Sequence, residues 1–263
     1  MSLDTSFDTS FDIKNIVCKF FYDLKDTINL YNLNKDHQEN IIITNLYNIS
    51  LKYKLSQQAI EQYKYRYVKK LYASNNQQIK SVNHIKNSLQ ILNCSYESKI
   101  DQNSISQLNL IELYATGNEK IKNANHMKNT LKILYCSYDC GIDQNGIAEL
   151  NLIELRSTGN EKIHNVNYMK DTLKKLDCRL KSGIDQKGIC ELNLIELYAT
   201  GNEKIKNVNH MKNTLKILYC SGFDSGIDQN GISELNLIEL FAFENEKIIN
   251  VNHMKNTLIC CYL

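Results

Sequence analysis

Two residue types recur in this sequence at spacings that could build a metal site or a set of disulfides. Cysteines recur about every 42 residues, and histidines recur at a similar interval within a repeated Asn-His-Met phrase. Thiolates and imidazoles are zinc ligands, and two nearby thiols can form a disulfide. The residues concerned are Cys94, Cys136, Cys178, Cys220, His84, His126, His210 and His253.

The spacing argues against both kinds of chemistry. Neighbouring strands lie about 4.8 Å apart, so cysteines two coils apart are separated by roughly 9–10 Å, whereas a disulfide needs Cα atoms within roughly 7 Å. No Cys-x-x-Cys pair occurs, and Tyr168 interrupts the histidine row. We therefore expect buried, reduced thiols and convex-surface histidines, with no metal and no cofactor. Cys260 and Cys261 should be the most exposed cysteines.

One further phrase offers oxygen ligands, in Asp143, Asn145 and Gly146. A calcium loop would also need a downstream bidentate glutamate, which is missing. Asp143 is better explained as the N-cap of a short helix that carries Ile147 and Leu150 on its inner side. The sequence contains no Gly-rich phosphate loop, no HExxH and no nucleophile elbow. We therefore predict that the protein is not an enzyme.

The overall charge predicts neither nucleic acid nor membrane as a partner. The 263 residues carry a formal net charge of +2 and only 23% charged side chains. Arginine, the usual phosphate-binding residue, occurs only at positions 66, 156 and 179. The polar opening segment is unlike a secretory signal, and no apolar run reaches the roughly 18 residues of a membrane span. These features predict a cytoplasmic protein.

The elements that would position all these residues are repeats of about 21 residues. Segments such as 131–151 read Leu-x-x-Leu-x-Cys, and segments such as 194–214 read Leu-x-x-Leu-x-Ala-x-x-Asn. Alternation around the second leucine predicts a short strand with one buried face. The asparagine two residues after the strand should hydrogen-bond the turn backbone of its own and adjacent coils. The leucines expected to be buried include Leu113, Leu134, Leu155, Leu176, Leu197 and Leu218.

These two units resemble leucine-rich repeats, the first the cysteine-containing class and the second the short class of 21–22 residues. The resemblance covers about three quarters of the chain. It implies an α/β solenoid, right-handed and curved, with parallel strands on the concave face and short helices or 3₁₀ segments on the convex face. The alternation of two units and the Asn- and Lys-rich style resemble repeat proteins of giant viruses that infect amoebae, which implies the host cytoplasm as location.

Segment 1–42 has a different pattern, with apolar residues spaced by three and four as on a helix. Residues 11–35 resemble an F-box, although its usual Leu-Pro is Phe11-Asp12 here. The resemblance implies binding to the adaptor of cullin-type ubiquitin ligases through Ile16, Phe20, Leu24 and Leu30. The alternative is a helical cap over the first coil. We further predict a degenerate first repeat at 43–67, nine repeats at 68–257 and a truncated strand at 258–263, whose open edge invites self-association.

Function in a solenoid belongs where the repeats differ on the concave face. The outward position after the second leucine is mostly aromatic, but the central coils carry Arg156 and Asp177, with Arg179 nearby. Tyr and Arg dominate protein interfaces. Two functions stay open: a partner-recognition scaffold, such as the substrate-recognition subunit of a cullin-type ligase, and a structural or decoy solenoid without that link. The residues expected to contact a protein partner are Tyr114, Tyr135, Arg156, Asp177, Arg179, Tyr198 and Tyr219.

Overall fold

The computed structural model describes residues 42–46 and 55–263. The segment predicted to be F-box-like, with Ile16, Phe20, Leu24 and Leu30, lies outside the described residues. Within the described ranges the chain forms one sheet of 11 parallel strands that follow one another in chain order. The strands are β1 Asn45–Leu46, β2 Lys70–Tyr72, β3 Ile91–Asn93, β4 Glu112–Tyr114, β5 Ile133–Tyr135, β6 Glu154–Arg156, β7 Lys175–Asp177, β8 Glu196–Tyr198, β9 Ile217–Tyr219, β10 Glu239–Phe241 and β11 Cys260–Tyr262.

Short helical turns connect the strands, as a leucine-rich repeat solenoid requires. No described helix is long and apolar enough to cross a membrane. The α-helical turns are Gln57–Ile60, Gln102–Ile105, Gln144–Ile147 and Gln186–Ile189. The 3₁₀ turns are Tyr63–Tyr65, Asn83–Ile85, Asn125–Met127, Asn167–Met169, Asn209–Met211, Asn230–Ile232 and Asn252–Met254.

The second leucine of each repeat stacks on its counterpart in the next coil. Leu155, for example, pairs in register with Leu134 on one side and Leu176 on the other. All six leucines named above are fully buried, which confirms the prediction made for them. Because burying a leucine contributes about 1.5–3 kcal/mol, this leucine column is a principal source of the stability of the stack.

Small side chains fill the inward position two residues further on. The four cysteines of the ladder are fully buried and free, and alanines or Ser157 occupy this position in the alternate coils. Desolvation raises the pKa of the Cys220 thiol to about 12. The prediction for the exposed cysteines was incomplete, because Cys190 is exposed while Cys260 is only partly so. Cys190 follows the helical turn that ends at Ile189, at the convex surface position that Ala148 occupies in the preceding cysteine unit.

A ladder of buried asparagines joins successive coils. The Nδ2 of Asn160 donates to the carbonyls of Cys136 and Ile142, at 2.8 and 3.0 Å, and its Oδ1 accepts from the Lys162 amide at 3.0 Å. Asn118, Asn202 and Asn245 make the equivalent bonds, each to its own coil and to the coil before it. These side chains satisfy turn backbone groups that would otherwise be buried without partners, as the sequence predicts.

Three of the four cysteine units have a glycine in the helical turn, where they pack closely on the coil before them, and the first has Ser104 there. The Asp143 carboxylate caps that turn by accepting from the Gly146 amide at 2.9 Å. A Cβ on Gly146 would lie only 2.2 Å from the Lys122 carbonyl oxygen. The aspartate and glycine that could suggest a calcium loop therefore serve helix capping and coil packing.

The histidine row lies on the convex surface and fastens each coil to the one before it. Nε2 of His126 lies 2.9 Å from the carbonyl oxygen of Ile105, and Nε2 of His210 lies 3.1 Å from that of Ile189. Tyr168, which interrupts the row, donates its hydroxyl to the equivalent carbonyl of Ile147 at 2.8 Å. A phenol and an imidazole thus make the same contact with the preceding coil at this position.

Candidate partner-binding surface

The strand register gathers the outward residues of successive coils into one column. Tyr114 pairs with Tyr135, Tyr135 with Arg156, Arg156 with Asp177, Asp177 with Tyr198, and Tyr198 with Tyr219. Six of the seven residues expected to contact a partner therefore stand in line. Arg179 follows β7 and turns its guanidinium back toward the same line. We call this column, extended by Phe241 and by Tyr262 of β11, the concave stripe.

At one end of the concave stripe, two tyrosines and an arginine are held by one another and by glutamates. The rings of Tyr114 and Tyr135 meet edge to face with centroids 4.6 Å apart. The guanidinium carbon of Arg156 lies 4.2 Å from the centroid of the Tyr135 ring. Glu154 accepts from both, from the Tyr135 hydroxyl at 2.8 Å and from the Arg156 Nε at 2.9 Å. Three side chains of two neighbouring strands thus share one fixed arrangement.

The environment keeps these phenols protonated. Partial burial and the hydrogen bond to Glu154 both raise the pKa of the Tyr135 hydroxyl. Partial burial and the hydrogen bond to Glu112, at 2.6 Å, raise the pKa of the Tyr114 hydroxyl in the same way. Both side chains are half-buried by their neighbours rather than simply directed at solvent. Their accessible parts are ring edges and faces, which suit contact with a partner's apolar or cationic groups.

The centre of the concave stripe is a buried carboxylate beneath an arginine. The sequence places Asp177 among the outward contacts, but the structure leaves it only 2% exposed. Its carboxylate accepts from the Thr158 hydroxyl at 2.6 Å and from Nε and Nη2 of Arg179 at 2.9 and 2.7 Å. The hydrogen bond to Asp177 raises the pKa of the Arg179 guanidinium. Asp177 therefore positions Arg179, whose side chain is 42% exposed.

The other end of the concave stripe is a continuous stack of rings. Tyr198 stacks on Tyr219 with centroids 4.6 Å apart, and Tyr219 stacks on Phe241 at 4.1 Å. Phe241 then stacks on Tyr262 at 4.8 Å. Lys175 borders this stack, with its Nζ 2.8 Å from the Glu196 carboxylate and 5.2 Å from the Tyr198 ring centroid. Tyr262 was not among the residues expected in this column, although it occupies the same repeat position as Phe241.

A row of exposed isoleucines runs beside the concave stripe and was missed from the sequence. Each belongs to a Leu-Ile-Glu-Leu phrase and lies just before its strand, with an exposed fraction between 39% and 48%. In the alternate coils the same position is Gln90, Lys132, Lys174, Lys216 and Ile259. The Leu-Ile-Glu-Leu phrase could have indicated this exposure, because its isoleucine lies between a buried leucine and an outward glutamate. The four residues are Ile111, Ile153, Ile195 and Ile238.

The described residues contain no group of three or more His, Cys, Asp or Glu side chains that could hold a metal ion.

No protein-family model matches the chain, and no curated protein matches it. Among solved structures, the chain is similar to one in the crystal structure of the Rad7 and Elc1 complex in yeast. The TM-score is 0.48 and the sequence identity 13%, over 86% of this chain and 68% of that chain. A likeness of this extent says nothing about the partners of this chain.

Proposed function

We propose that this protein is a non-enzymatic scaffold that recognises a protein partner through the concave stripe. The observation that carries the proposal is the break in the repeat pattern at the centre. Here Arg156 and Asp177 stand in place of the aromatic residues, and Arg156 and Arg179 are each held by a carboxylate of the same surface. Repeats that served packing alone would have no need of such differences.

The geometry favours tight contact because the anchors are ordered in advance. A long side chain that is immobilised on binding costs about 0.5–1.5 kcal/mol. Arg156 is fixed on Glu154 and on the Tyr135 ring, and Arg179 is fixed on Asp177 through two nitrogens. Folding of the scaffold therefore already restricts both arginine side chains, so little of the immobilisation cost remains on binding. Aromatic and arginine side chains are also the residues that most often dominate binding energy.

Affinity capture with the full chain tests the proposal. A central anchor contributes about 2 kcal/mol or more, which corresponds to roughly 30-fold in affinity. We expect Tyr135→Ala combined with Tyr198→Ala to abolish retention of the captured partner. The control is Tyr63→Ala, which removes a more exposed ring that lies off the stripe. Equal retention of every partner by the stripe variant and the control would contradict the proposal.

We also propose that the scaffold acts as a substrate-recognition subunit of a cullin-type ubiquitin ligase. Support comes from the likeness of residues 11–35 to an F-box. Deleting Met1–Lys35 should remove binding to the ligase adaptor and spare partner capture, since the stripe lies on β4–β11. If the full chain never binds the adaptor, the ligase role fails and the plain binding scaffold remains. If no partner is captured either, the structural or decoy solenoid is the better account.

A further inference from the structure

A second exposed surface follows the ends of the strands, beside the concave stripe. The third residue after each strand from β2 to β10 has a left-handed backbone, with φ between 55° and 91°. Glycine adopts this conformation freely, whereas a residue with a Cβ does so only at a cost. The nine positions are Asn75, Tyr96, Gly117, Tyr138, Gly159, Leu180, Gly201, Gly222 and Glu244.

Two tyrosines in this row enclose a recess. Tyr96 and Tyr138 are 51% and 48% exposed, and Gly117 lies between them on the intervening coil. The Tyr96 ring packs over that glycine so closely that a Cβ there would lie 3.1 Å from its Cδ1. The two tyrosines and Gly117 line a recess of about 530 Å³. The turn thus keeps two rings exposed in a conformation that glycine would adopt more easily.

The rim of the recess is acidic, and its carboxylates are largely free. Glu97, Glu119 and Asp139 line it together with Lys120. The Lys120 ammonium points to the backbone, donating to the Ser98 carbonyl at 2.7 Å. Within the described part of the chain Glu119 and Asp139 make no ion pair, and Glu97 accepts only from the neutral Gln77 amide at 2.6 Å.

The convex side of the same coils is different. There three of the four cysteine units pair a glutamate with a lysine of the coil before it, as Lys128 does with Glu149 at 2.6 Å. Lys170 with Glu191 and Lys212 with Glu234 repeat this pairing. Glu119 and Asp139 have no such partner among the described residues. Three carboxylates against the one ammonium of Lys120 leave the recess with a net negative charge next to two aromatic faces.

We propose that this recess binds an arginine or lysine side chain from a basic segment of a protein partner. Ring faces attract cations, and an uncompensated carboxylate adds a direct charge attraction. An acidic or purely apolar group would face Glu97, Glu119 and Asp139 without compensation. The site lies on the turns after the strands and does not depend on the concave stripe.

The repeat also sets the spacing of the ligand. Equivalent turns two coils apart are separated by roughly 9–10 Å, which three residues of an extended peptide span. The equivalent turns of the next repeat, at Tyr138, Gly159 and Leu180, offer only one aromatic side chain. They therefore serve as an internal comparison for the contribution of the ring. A basic residue at every third position would match consecutive recesses.

The test uses the full chain and a flexible peptide of glycines with two arginines three positions apart. Its control is the same peptide with citrulline in place of arginine, which keeps the shape and removes the charge. With tyrosine rings isotopically labelled, NMR titration should shift the signals of Tyr96 and Tyr138. Tyr96→Gly and Tyr138→Gly install the residue that the alternate coils use, so the turn should persist. Each should weaken binding about two- to five-fold.

Glu119→Gln together with Asp139→Asn should weaken arginine binding further, and raised salt should do the same. Glu244→Gly, at the same turn position five coils beyond Tyr138, is the matched control and should leave binding unchanged. Equal binding of the citrulline peptide would overturn the proposal. So would arginine-dependent shifts confined to Tyr114, Tyr135 or Tyr198, because they would place the cation on the concave stripe instead. Loss of the concave-stripe function alone would leave these results unaffected.

Discussion

The side chain of Asn160 ties together three backbone groups of two successive coils, and its replacement should be among the most destabilising single changes. Asn160 has no exposed surface. In Asn160→Ala the carbonyls of Cys136 and Ile142 and the amide of Lys162 lose their partners. A buried polar group without a partner costs about 1–3 kcal/mol. Because water can reach the exposed Lys162 side of the turn, we expect a loss of about 3–6 kcal/mol in the free energy of unfolding.

Urea unfolding followed by circular dichroism measures this loss, provided that the dependence on urea is unchanged. Asn145→Ala is the matched control, because Asn145 is exposed and its side chain bonds nothing in the described structure. It should change stability by less than about 0.5 kcal/mol. A loss below about 1 kcal/mol for Asn160→Ala would refute the view that the asparagine ladder holds the coils together.

A nearly isosteric variant separates hydrogen bonding from packing. Asn160→Asp keeps the acceptor for the Lys162 amide but replaces Nδ2 with a second oxygen. That oxygen would face the two carbonyl oxygens that lie 2.8 and 3.0 Å from Nδ2 in the native protein. Burial there should raise the pKa of the new carboxyl above its unfolded value of about 3.9. The folded state then holds the proton more tightly, so stability should fall as pH rises above about 4. A variant whose stability does not change with pH between 4 and 7 would contradict this geometry.

Three further experiments test other parts of the fold. Leu155→Ala removes a fully buried side chain and should lower the free energy of unfolding by about 2–5 kcal/mol in the same urea assay. A bulky thiol reagent should label the exposed Cys190 rapidly and the buried Cys178 only after unfolding, as mass spectrometry of digests would show. Burial lowers the pKa of His210 below 6.5, so its contribution to stability is present above that pH and is lost as pH falls through the lowered pKa. His210→Tyr, which copies Tyr168, should flatten this dependence in melts between pH 5 and 7, and an unchanged dependence would contradict it.

The sequence was sufficient to predict what every coil shares. Leu155 and Asn160 have counterparts in the other repeats of their kind, so their burial and bonding follow from the period and from the need to satisfy backbone groups. The parallel strands follow for the same reason, because each coil can bury its apolar face only against its neighbours. Segment 1–42 carries no such repetition, and its division from the solenoid stays a prediction.

The sequence did not predict the contacts between unlike residues of neighbouring coils. Asp177 has the outward position of a strand, and only the combination of Thr158 before it and Arg179 after it encloses its carboxylate. Tyr96 is similar, because its exposure over the recess depends on a glycine one coil away. The repeat period and the propensities of the residues describe one position of the chain at a time, whereas these arrangements depend on pairs of residues in neighbouring coils.

Site-specific photocrosslinking tests the central claim, that the concave stripe is the surface that meets a partner. The photoreactive residue p-benzoylphenylalanine would replace Tyr135, Tyr198 or, on the convex side, Tyr168. Because all three are tyrosines in ordered coils, the fold should be disturbed to a similar, small degree. We predict that the first two sites form a crosslink to the same protein in cells and that the third does not. Crosslinks from Tyr168 alone, or equally from all three, would contradict the account.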